Sequence, residues 1–418
     1  MVHDEVVVTL ATVLVLSVGL GIACALLVRR GLLGAHRWVQ RAAATVTAIA
    51  VTVAAVEGWA HLMVNRSAVA RAVAWMEADT GDLRRFPSRP ISAGAHPLTL
   101  KGCPAEVGIP NLRVETQGKQ MSLMQVLDGS ETTSFLVVRD HCLLEERYGQ
   151  GSHPEELQTS FSMAKSFLSA LVGIAIARGD LQRLDEPITT YLPELADRDD
   201  RYTRITLRHL LTMTSGLHYE EHGLPWSDDA LTYYSPDLRS AALSARVEEP
   251  PGRGWHYNNY NPLLMGLILE RATGMSVASY MERYLWQPMG AQHDASWSLD
   301  STDSGFEKME SGINATARDY ARFGYLFAHG GQVAGRQVIP AAWVAAATAV
   351  DTRTDPNPGY QYWWWVDDAR ADRFYARGNL GQFVYVDAHT DLVLVRTGKE
   401  FGIPDWPVVL RQVADQLS

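Results

Sequence analysis

Two long apolar segments lie at the start of the chain. The first, residues 6–28, contains no charged residue and is about as long as a helix that crosses a lipid bilayer. The second, residues 42–64, is rich in alanine, valine and isoleucine but carries Glu57 and His61 near its end. Four arginines lie between the two segments, and positive residues concentrate in cytoplasmic loops. The pattern predicts a membrane anchor over residues 1–65 with two transmembrane helices.

A cleaved signal peptide is the alternative explanation of the first segment. Such peptides begin with positive residues and end in a small-residue cleavage site. Here Asp4 and Glu5 precede the segment, and Arg29 and Arg30 follow it. We therefore expect the protein at the cell membrane, with everything after the second segment on the extracytoplasmic side.

Apolar residues recur at strand spacing near both ends of the remaining chain. Two early segments around Asp140-His141 predict a hairpin, and four strand patterns precede an amphipathic helix over residues 405–417. The middle, about 180–350, shows mainly helical patterns and turns. This order indicates one antiparallel sheet assembled from distant segments, with an inserted, mainly helical region. The predicted strands are residues 134–139, 142–148, 362–366, 373–376, 382–387 and 392–397.

The domain organisation follows from these patterns. Residues 66–130 are mixed and contain proline-rich turns, so we interpret them as a linker and lead-in. Residues 131–418 then form one α/β (α+β) domain. Within it, residues 162–178 are apolar on nearly every side of a helix that Gly179 ends, which predicts a helix buried between layers.

Composition and charge narrow the class of function. A formal net charge of -10 disfavours nucleic acid as a partner. Phosphate-loop and His-Glu-x-x-His patterns are absent and residues 218–222 lack zinc-ligand spacing, so we expect neither cofactor nor metal. Among three cysteines, Cys103 and Cys142 could pair if the domain is exported, but we expect them to be unlinked.

The first candidate for chemistry is Ser162-Met163-Ala164-Lys165, the only Ser-x-x-Lys in the chain. Positions three apart lie on one face of a helix, so the serine hydroxyl and the lysine amine can meet. A serine in the first turn also directs the helix dipole at the reacting carbonyl. Because serine needs a base to become a nucleophile, Lys165 is the candidate base; a lysine extending out of a buried helix is the alternative.

The second candidate is Tyr257-Asn258-Asn259, which follows a Pro-Pro-Gly turn. A phenol near a cation can carry a proton, so Tyr257 is the third predicted catalytic residue. The Asn259 amide can hold Lys165 or a substrate carbonyl. A buried tyrosine followed by an asparagine cap would look the same in the sequence.

The third candidate lies between two late strands, from Ala376 to Gln382. Glycine there lets a ligand approach the strand edge, and the N–H of Asn379 can form an oxyanion hole with that of Ser162. Predicted substrate-binding residues are therefore Arg377, Gly378, Asn379 and Gln382, together with Asn259. A nearby Arg396-Thr397-Gly398 imitates a Lys-Thr-Gly motif, but it falls at the end of the next strand and is set aside.

With these motifs in this order, residues 130–418 resemble the class C β-lactamase-related serine hydrolase family. That family is defined by Ser-x-x-Lys, Tyr-x-Asn and a late Lys-Thr-Gly or His-x-Gly motif. The resemblance is strongest to its 6-aminohexanoate-dimer hydrolase branch, in residues 162–167 and 378–382. Further matching segments are residues 209–217, Pro251-Gly252 and residues 314–319.

The resemblance implies a β-lactamase/transpeptidase-like fold and hydrolysis of a small-molecule ester or amide through an acyl-enzyme. Ala376 stands where many relatives carry Lys or His, so a cation for a substrate carboxylate is absent or replaced by Arg377. An esterase or amidase therefore fits better than a β-lactamase or D-alanyl carboxypeptidase. A non-catalytic binding or sensor domain and a membrane scaffold remain as alternatives.

Overall fold

The computed structural model describes residues 37–103, 108–350, 357–367, 370 and 372–418. The chain divides into two compact units. One comprises Met1–Ala78 with Glu221–Pro236, and the other comprises Asp79–Glu220 with Asp237–Ser418. The first predicted membrane segment, residues 6–28, lies outside the described residues.

The described part of the first unit consists of the helices Arg37–Met63, Ala68–Trp75 and Asp228–Tyr234. The Ser67 hydroxyl caps the second helix by accepting from the Ala70 N–H at 3.3 Å. Buried Arg71 on this helix donates to the Tyr234 carbonyl oxygen at 3.2 Å, which joins the second and third helices.

The second predicted membrane segment, residues 42–64, falls in the helix Arg37–Met63. Its apolar stretch, Ala48–Met63, is shorter than a span. Within the described residues, the helix long and apolar enough to cross a membrane is Phe161–Arg178, and most of it is buried inside the second unit. The membrane crossing therefore stays a prediction.

The second unit contains all the described strands. They are β1 (Ser88–Ile91), β2 (Lys101–Gly102), β3 (Arg113–Thr116), β4 (Lys119–Ser122), β5 (Thr132–Arg139), β6 (Cys142–Tyr148), β7 (Gln158–Thr159), β8 (Ala295–Ser298), β9 (Ile313–Ala315), β10 (Gln332–Val333), β11 (Arg336–Gln337), β12 (Tyr360–Gln361), β13 (Trp364–Val366), β14 (Arg373–Gly378), β15 (Gln382–Asp387) and β16 (Leu392–Gly398). The main sheet has eight strands in the order β12-β13-β14-β15-β16-β5-β6-β2, antiparallel except for β2 against β6, and a four-stranded antiparallel sheet has the order β1-β8-β9-β7. The main sheet confirms the prediction of an antiparallel sheet built from both ends of the chain.

Helices cover both faces of the main sheet. The C-terminal helix Trp406–Leu417 packs on one face, where Tyr385 and Leu394 pair across β15 and β16. On the other face, Phe323 stacks on Phe167 with ring centroids 3.6 Å apart. Burial of each large apolar side chain stabilises the fold by about 1.5–3 kcal/mol. The remaining helices of this unit are Asp82–Arg85, Leu123–Asp128, Ala164–Arg178, Pro193–Arg198, Leu207–Leu211, Leu238–Ser244, Tyr260–Thr273, Val277–Met281, Ala317–Ala328 and Ala341–Ala347, with short turns of helix at Ile109–Asn111, Phe161–Met163, Ile188–Thr190, Asp200–Arg204, Glu282–Trp286 and Asn379–Gly381.

Tertiary pairing adds detail to the predicted organisation in two places. Part of the predicted linker, from Asp79 onward, belongs to the second unit, because β1 pairs with β8 and β2 with β6. The predicted helical insert also contributes β8 and β9 to the four-stranded sheet. Neither pairing partner is adjacent in sequence, so local patterns gave no sign of either.

The expectation of unlinked cysteines is wrong. Cys103 and Cys142 form a disulfide with their Cα atoms 5.3 Å apart. The cause is the parallel pairing of β2 with β6, in which Lys101 lies opposite Cys142 and Gly102 opposite Leu143. Cys103 directly follows β2 and Cys142 begins β6, so this pairing brings the two cysteines to the same edge of the sheet, within disulfide distance.

The predicted strand over residues 362–366 is also wrong at its start. Tyr362 and Trp363 have φ values of 39° and 66° and form the two-residue turn of a hairpin between β12 and β13. Such turns prefer Asn-Gly, so two aromatic residues do not predict one. The Ser166 hydroxyl holds the turn by donating to the Trp363 carbonyl oxygen at 2.8 Å.

Candidate active site

Ser162 lies in a short 3₁₀ turn, Phe161–Met163, directly before the helix Ala164–Arg178. The four-stranded sheet holds this turn, because the Ser160 N–H donates to the Ile313 carbonyl oxygen at 2.7 Å. The Ile313 N–H donates in return to the Ser160 hydroxyl at 3.2 Å. Phe161 has a φ of 44°, a left-handed conformation that costs a non-glycine residue of order 1–3 kcal/mol. The backbone immediately before the serine is thus strained and fixed by its neighbours.

Gly378, at the end of β14, holds the same turn from the main sheet. A Cβ atom at this position would lie 2.2 Å from the Ser160 carbonyl oxygen and 3.2 Å from Phe161 Cβ. Glycine is therefore required for the close approach of β14 to the nucleophile turn. The backbone of the nucleophile turn itself approaches this glycine closely, and the predicted approach of a ligand to it stays a prediction.

Lys165 is 1% exposed and lies one helical turn after Ser162. Its Nζ donates to Ser162 Oγ at 2.9 Å and to the Glu310 carbonyl oxygen at 2.8 Å. The Glu310 backbone therefore orients the amine toward the serine. A lysine extending into solvent, the alternative explanation of Ser-x-x-Lys, does not describe this side chain.

Tyr257 completes the group on the other side of the lysine. Lys165 Nζ lies 4.9 Å from the centroid of the Tyr257 ring. The ring packs nearly parallel to Trp365 at 6.3 Å and edge-on to Tyr360 at 6.0 Å. The hairpin of β12 and β13 thus orients Tyr257, and Lys165 lies within reach of both the serine hydroxyl and the phenol ring.

The segment 209–217 supports the loop that carries Tyr257. The His256 N–H donates to the Met213 carbonyl oxygen at 2.9 Å, and the Asn258 side chain donates to the Leu217 carbonyl oxygen at 2.9 Å. Gly216 has a φ of 71°, and a Cβ there would lie 2.1 Å from the Glu249 carbonyl oxygen. The absence of a side chain at Gly216 therefore allows residues 214–216 to contact the backbone at Glu249, which leads into the loop of Tyr257.

The Asn259 side chain bonds to a tyrosine hydroxyl and makes no described hydrogen bond with Lys165. Its Nδ2 donates to the Tyr219 hydroxyl at 2.8 Å. Its Oδ1 is buried and has no hydrogen-bond partner among the described residues. Buried acceptors are nearly always paired in native proteins. Asn259 Oδ1 thus accepts no hydrogen bond from the described protein atoms, and its predicted contact with substrate stays a prediction.

The remaining predicted residues divide into exposed and buried positions. Asn379 is exposed at the start of the turn Asn379–Gly381. Buried Gln382 uses its amide on the backbone, donating to the Asn379 and Gly398 carbonyl oxygens at 3.2 and 2.7 Å. The Arg377 guanidinium lies over the Trp365 ring at 5.9 Å. Gln382 therefore supports the turn, whereas Asn379 and Arg377 can face a ligand.

Two features of the site had no clear signal in the sequence. The Glu310 carbonyl oxygen binds Lys165, and the Glu310 carboxylate pairs with Lys308 at 3.2 Å, both side chains being almost fully buried. In the sequence, the ion pair of Lys308 and Glu310 is indicated only by their separation of two residues. Trp365 was one of three successive tryptophans, and its place beside Tyr257 depends on the turn before it.

Within residues 218–222, His218 lies between two carboxylates. His218 Nδ1 lies 3.0 Å from Glu248 Oε2, and His218 Nε2 lies 3.8 Å from Glu220 Oε1. In the part of the chain that the structure describes, no three His, Cys, Asp or Glu side chains converge on a possible metal position.

A mixed α/β fold that joins a serine, a buried lysine and a tyrosine in this way defines a serine hydrolase of the Ser-x-x-Lys class. Comparison with known proteins agrees with this class. The family model described as Beta-lactamase matches residues 123–417. The chain therefore belongs to the β-lactamase family.

Individual relatives give finer comparisons. The chain is 29% identical over 332 residues to the 6-aminohexanoate-dimer hydrolase of Paenarthrobacter ureafaciens, covering 73% of this chain and 80% of the relative. Esterase EstB of Burkholderia gladioli is 31% identical over 168 residues, covering 37% and 42%. The solved structure of a candidate 6-aminohexanoate-dimer hydrolase from Bacillus anthracis aligns with a TM-score of 0.70 at 24% identity, covering 79% of this chain and 90% of that one. The family and these relatives support an acyl-enzyme hydrolase of esters or amides.

Proposed function

We propose that the chain hydrolyses a carboxylic ester or a linear amide through an acyl-enzyme on Ser162. The observation that carries this proposal is the position of Lys165, 2.9 Å from Ser162 Oγ and 4.9 Å from the Tyr257 ring centroid. The first distance suits proton transfer between Ser162 and Lys165, and the second places the lysine amine beside the ring of Tyr257. The names of the relatives, an amide-dimer hydrolase and an esterase, support the same bond types.

The reaction proceeds in two steps. Ser162 Oγ attacks the carbonyl carbon and its proton passes to Lys165, while the N–H groups of Ser162 and Asn379 bind the oxyanion. The bond to the alcohol or amine breaks as Tyr257 protonates that leaving group, which leaves an ester on Ser162. Tyr257, now a phenolate, takes a proton from water, and the hydroxide attacks the ester carbon. The acid departs as Lys165 returns the proton to Ser162 Oγ.

The third motif favours linear esters and amides over β-lactams. Ala376, at its first position, is fully buried on β14 and carries no charge. Arg377 is the next cation, and its guanidinium lies over the rings of Trp365 and Phe401 at 5.9 and 5.7 Å. A substrate carboxylate is therefore not met by a cation at the position where β-lactam-binding relatives carry one.

We place this hydrolase at the extracytoplasmic side of the cell membrane. The disulfide between Cys103 and Cys142 is typical of an oxidising compartment. Large apolar side chains along the helix Arg37–Met63 are exposed, which suits contact with lipid. These side chains are Val46, Ile49, Val51, Val53, Val56, Trp59 and Leu62. Fractionation of cells after high-salt and carbonate washes tests this, since release by either wash contradicts an inserted helix.

Intact mass measurement of the full chain after brief exposure to an activated short-chain ester tests the chemistry. The wild type should gain one acyl group, and Ser162→Ala should gain none and lose turnover. Ser169→Ala is the matched control: it lies on the same helix, and its buried hydroxyl has no hydrogen-bond partner among the described residues. Acylation or turnover retained by folded Ser162→Ala would refute the proposal. A lasting penicillin adduct on Ser162 would redirect it to peptidoglycan-like substrates.

A further inference from the structure

Arg396 is a fully buried arginine whose acceptors are all neutral. Its Nη1 donates to the carbonyl oxygens of Leu380 and Gly381 at 2.7 and 2.8 Å. The other acceptors are the carbonyl oxygens of Ser130 and Glu400 and the hydroxyl of Thr132. A buried charge normally has a charged partner, so a guanidinium bound only by neutral carbonyl and hydroxyl oxygens requires an explanation.

The surroundings of Arg396 are shaped to hold its guanidinium. A Cβ on Gly381 would lie 2.2 Å from Nη1, and a Cβ on Gly398 would lie 2.3 Å from Nη2. The Trp406 ring lies 4.6 Å from the guanidinium carbon. Burial lowers the pKa of Arg396 to about 9, so the side chain is still a cation at neutral pH.

The turn that Arg396 holds is strained. Leu380 and Gly381 have successive φ values of 56° and 79°. Glycine adopts this conformation freely, but a leucine does so at a cost of about 1–2 kcal/mol. Gln382 binds the Asn379 carbonyl oxygen at 3.2 Å, so side chains hold each of the three carbonyl groups of the turn. Asn379, which opens this turn, carries the proposed oxyanion donor.

We propose that Arg396 is a positioning residue for the oxyanion hole, acting through the turn Asn379–Gly381. By fixing the two carbonyl groups that follow Asn379, the guanidinium fixes the direction of the Asn379 N–H. The inference rests on the proposed acyl-enzyme reaction. The inference also assigns a function to the first residue of Arg396-Thr397-Gly398, the segment that imitates a Lys-Thr-Gly motif.

The test compares an ester with the thionoester of the same acid and alcohol on wild type, Arg396→Met and Arg396→Lys. Sulfur accepts hydrogen bonds weakly, so a well-directed oxyanion hole makes an enzyme prefer the oxygen ester. Loss of one directed donor lowers kcat by about 10²–10³-fold. We expect such a loss for Arg396→Met with KM nearly unchanged, together with at least about a tenfold smaller preference for oxygen.

Arg396→Lys should lose the same preference, because an ammonium cannot reproduce the planar set of donors. The Arg396→Lys variant also provides the test of the positioning function if Arg396→Met does not fold. Adding Leu380→Gly to Arg396→Lys should restore part of the preference, since glycine adopts the turn unaided. A purely structural role would lower stability and leave the ratio of the two substrates unchanged.

The outcomes separate the two proposals. If the wild type is not acylated on Ser162, the proposed reaction fails and this inference fails with it. If the wild type is acylated and prefers the oxygen ester, but a folded Arg396 variant keeps the wild-type preference, only the positioning function of Arg396 is refuted.

Discussion

Substitution of Gly378 by alanine tests how tightly the nucleophile turn is held. The backbone of Gly378 is extended, with φ of -125° and ψ of 165°, so alanine meets no conformational penalty there. The only new feature is a Cβ atom 2.2 Å from the Ser160 carbonyl oxygen. An ordinary contact of a Cβ atom is 3.4–4 Å, so β14 and the turn must separate by at least about 1 Å.

That separation has consequences for both stability and rate. Overpacking of this kind costs about 1–3 kcal/mol in the free energy of unfolding. A displacement of about 1 Å between reacting groups can lower the rate by about 10²-fold. We therefore expect Gly378→Ala to fold, to denature at lower urea concentration, and to lose about two orders of magnitude in kcat for an activated ester.

Gly102→Ala is the matched control, since a Cβ at Gly102 in β2 meets no atom within 4 Å. Its stability should change by less than about 0.5 kcal/mol and its kcat should not change. A Gly378→Ala enzyme with kcat within about twofold of the wild type would show that the nucleophile turn tolerates the shift, and the argument from close approach would be wrong.

Three further predictions concern the surroundings of the site and the frame of the fold. Trp365→Leu removes the ring stacked on Tyr257 and should lower kcat about tenfold in steady-state ester hydrolysis, since such a pair contributes about 0.5–1.5 kcal/mol; an unchanged kcat would contradict it. Burial alone would raise the pKa of Asp319, but the donors and the arginine around it hold that pKa below its usual value. The carboxylate therefore stabilises the fold at neutral pH, and this stabilisation is lost as the pH falls through the lowered pKa. Asp319→Asn should lower the free energy of unfolding by about 3–5 kcal/mol in urea denaturation at pH 7 and by less in acid. An equal loss at neutral and acid pH would contradict this pH dependence. Replacing Cys103 and Cys142 together by serine should lower the free energy of unfolding by about 2–4 kcal/mol, whereas an unchanged denaturation midpoint would mean that the disulfide is not formed.

Local patterns were enough for the parts of the molecule that depend on neighbours in sequence. Ser162 and Lys165 were predicted to meet because helix spacing alone places them together, and their atoms lie 2.9 Å apart. The late strands were predicted within a few residues because their alternation is strong; β15 has the predicted bounds, Gln382–Asp387.

Features that depend on distant pairing were not predictable in this way. The disulfide of Cys103 follows from the parallel addition of β2, a pairing of two residues that leaves no alternation to detect. The turn at Tyr362 and Trp363 places bulky residues at positive φ, which propensity argues against and tertiary contacts enforce. The Lys165 partner at Glu310 is a backbone oxygen, for which side-chain chemistry gives no signal.

The nucleophile turn is held by β9 of one sheet through Ser160 and by β14 of the other at Gly378. These strands come from segments far apart in the chain, and pairing of this kind forms slowly, after long loops have closed. The turn can reach its strained geometry only once both sheets have assembled. During refolding, ester hydrolysis should therefore appear after secondary structure and together with the last tertiary contacts, so the enzyme's own activity reports completed folding of the second unit.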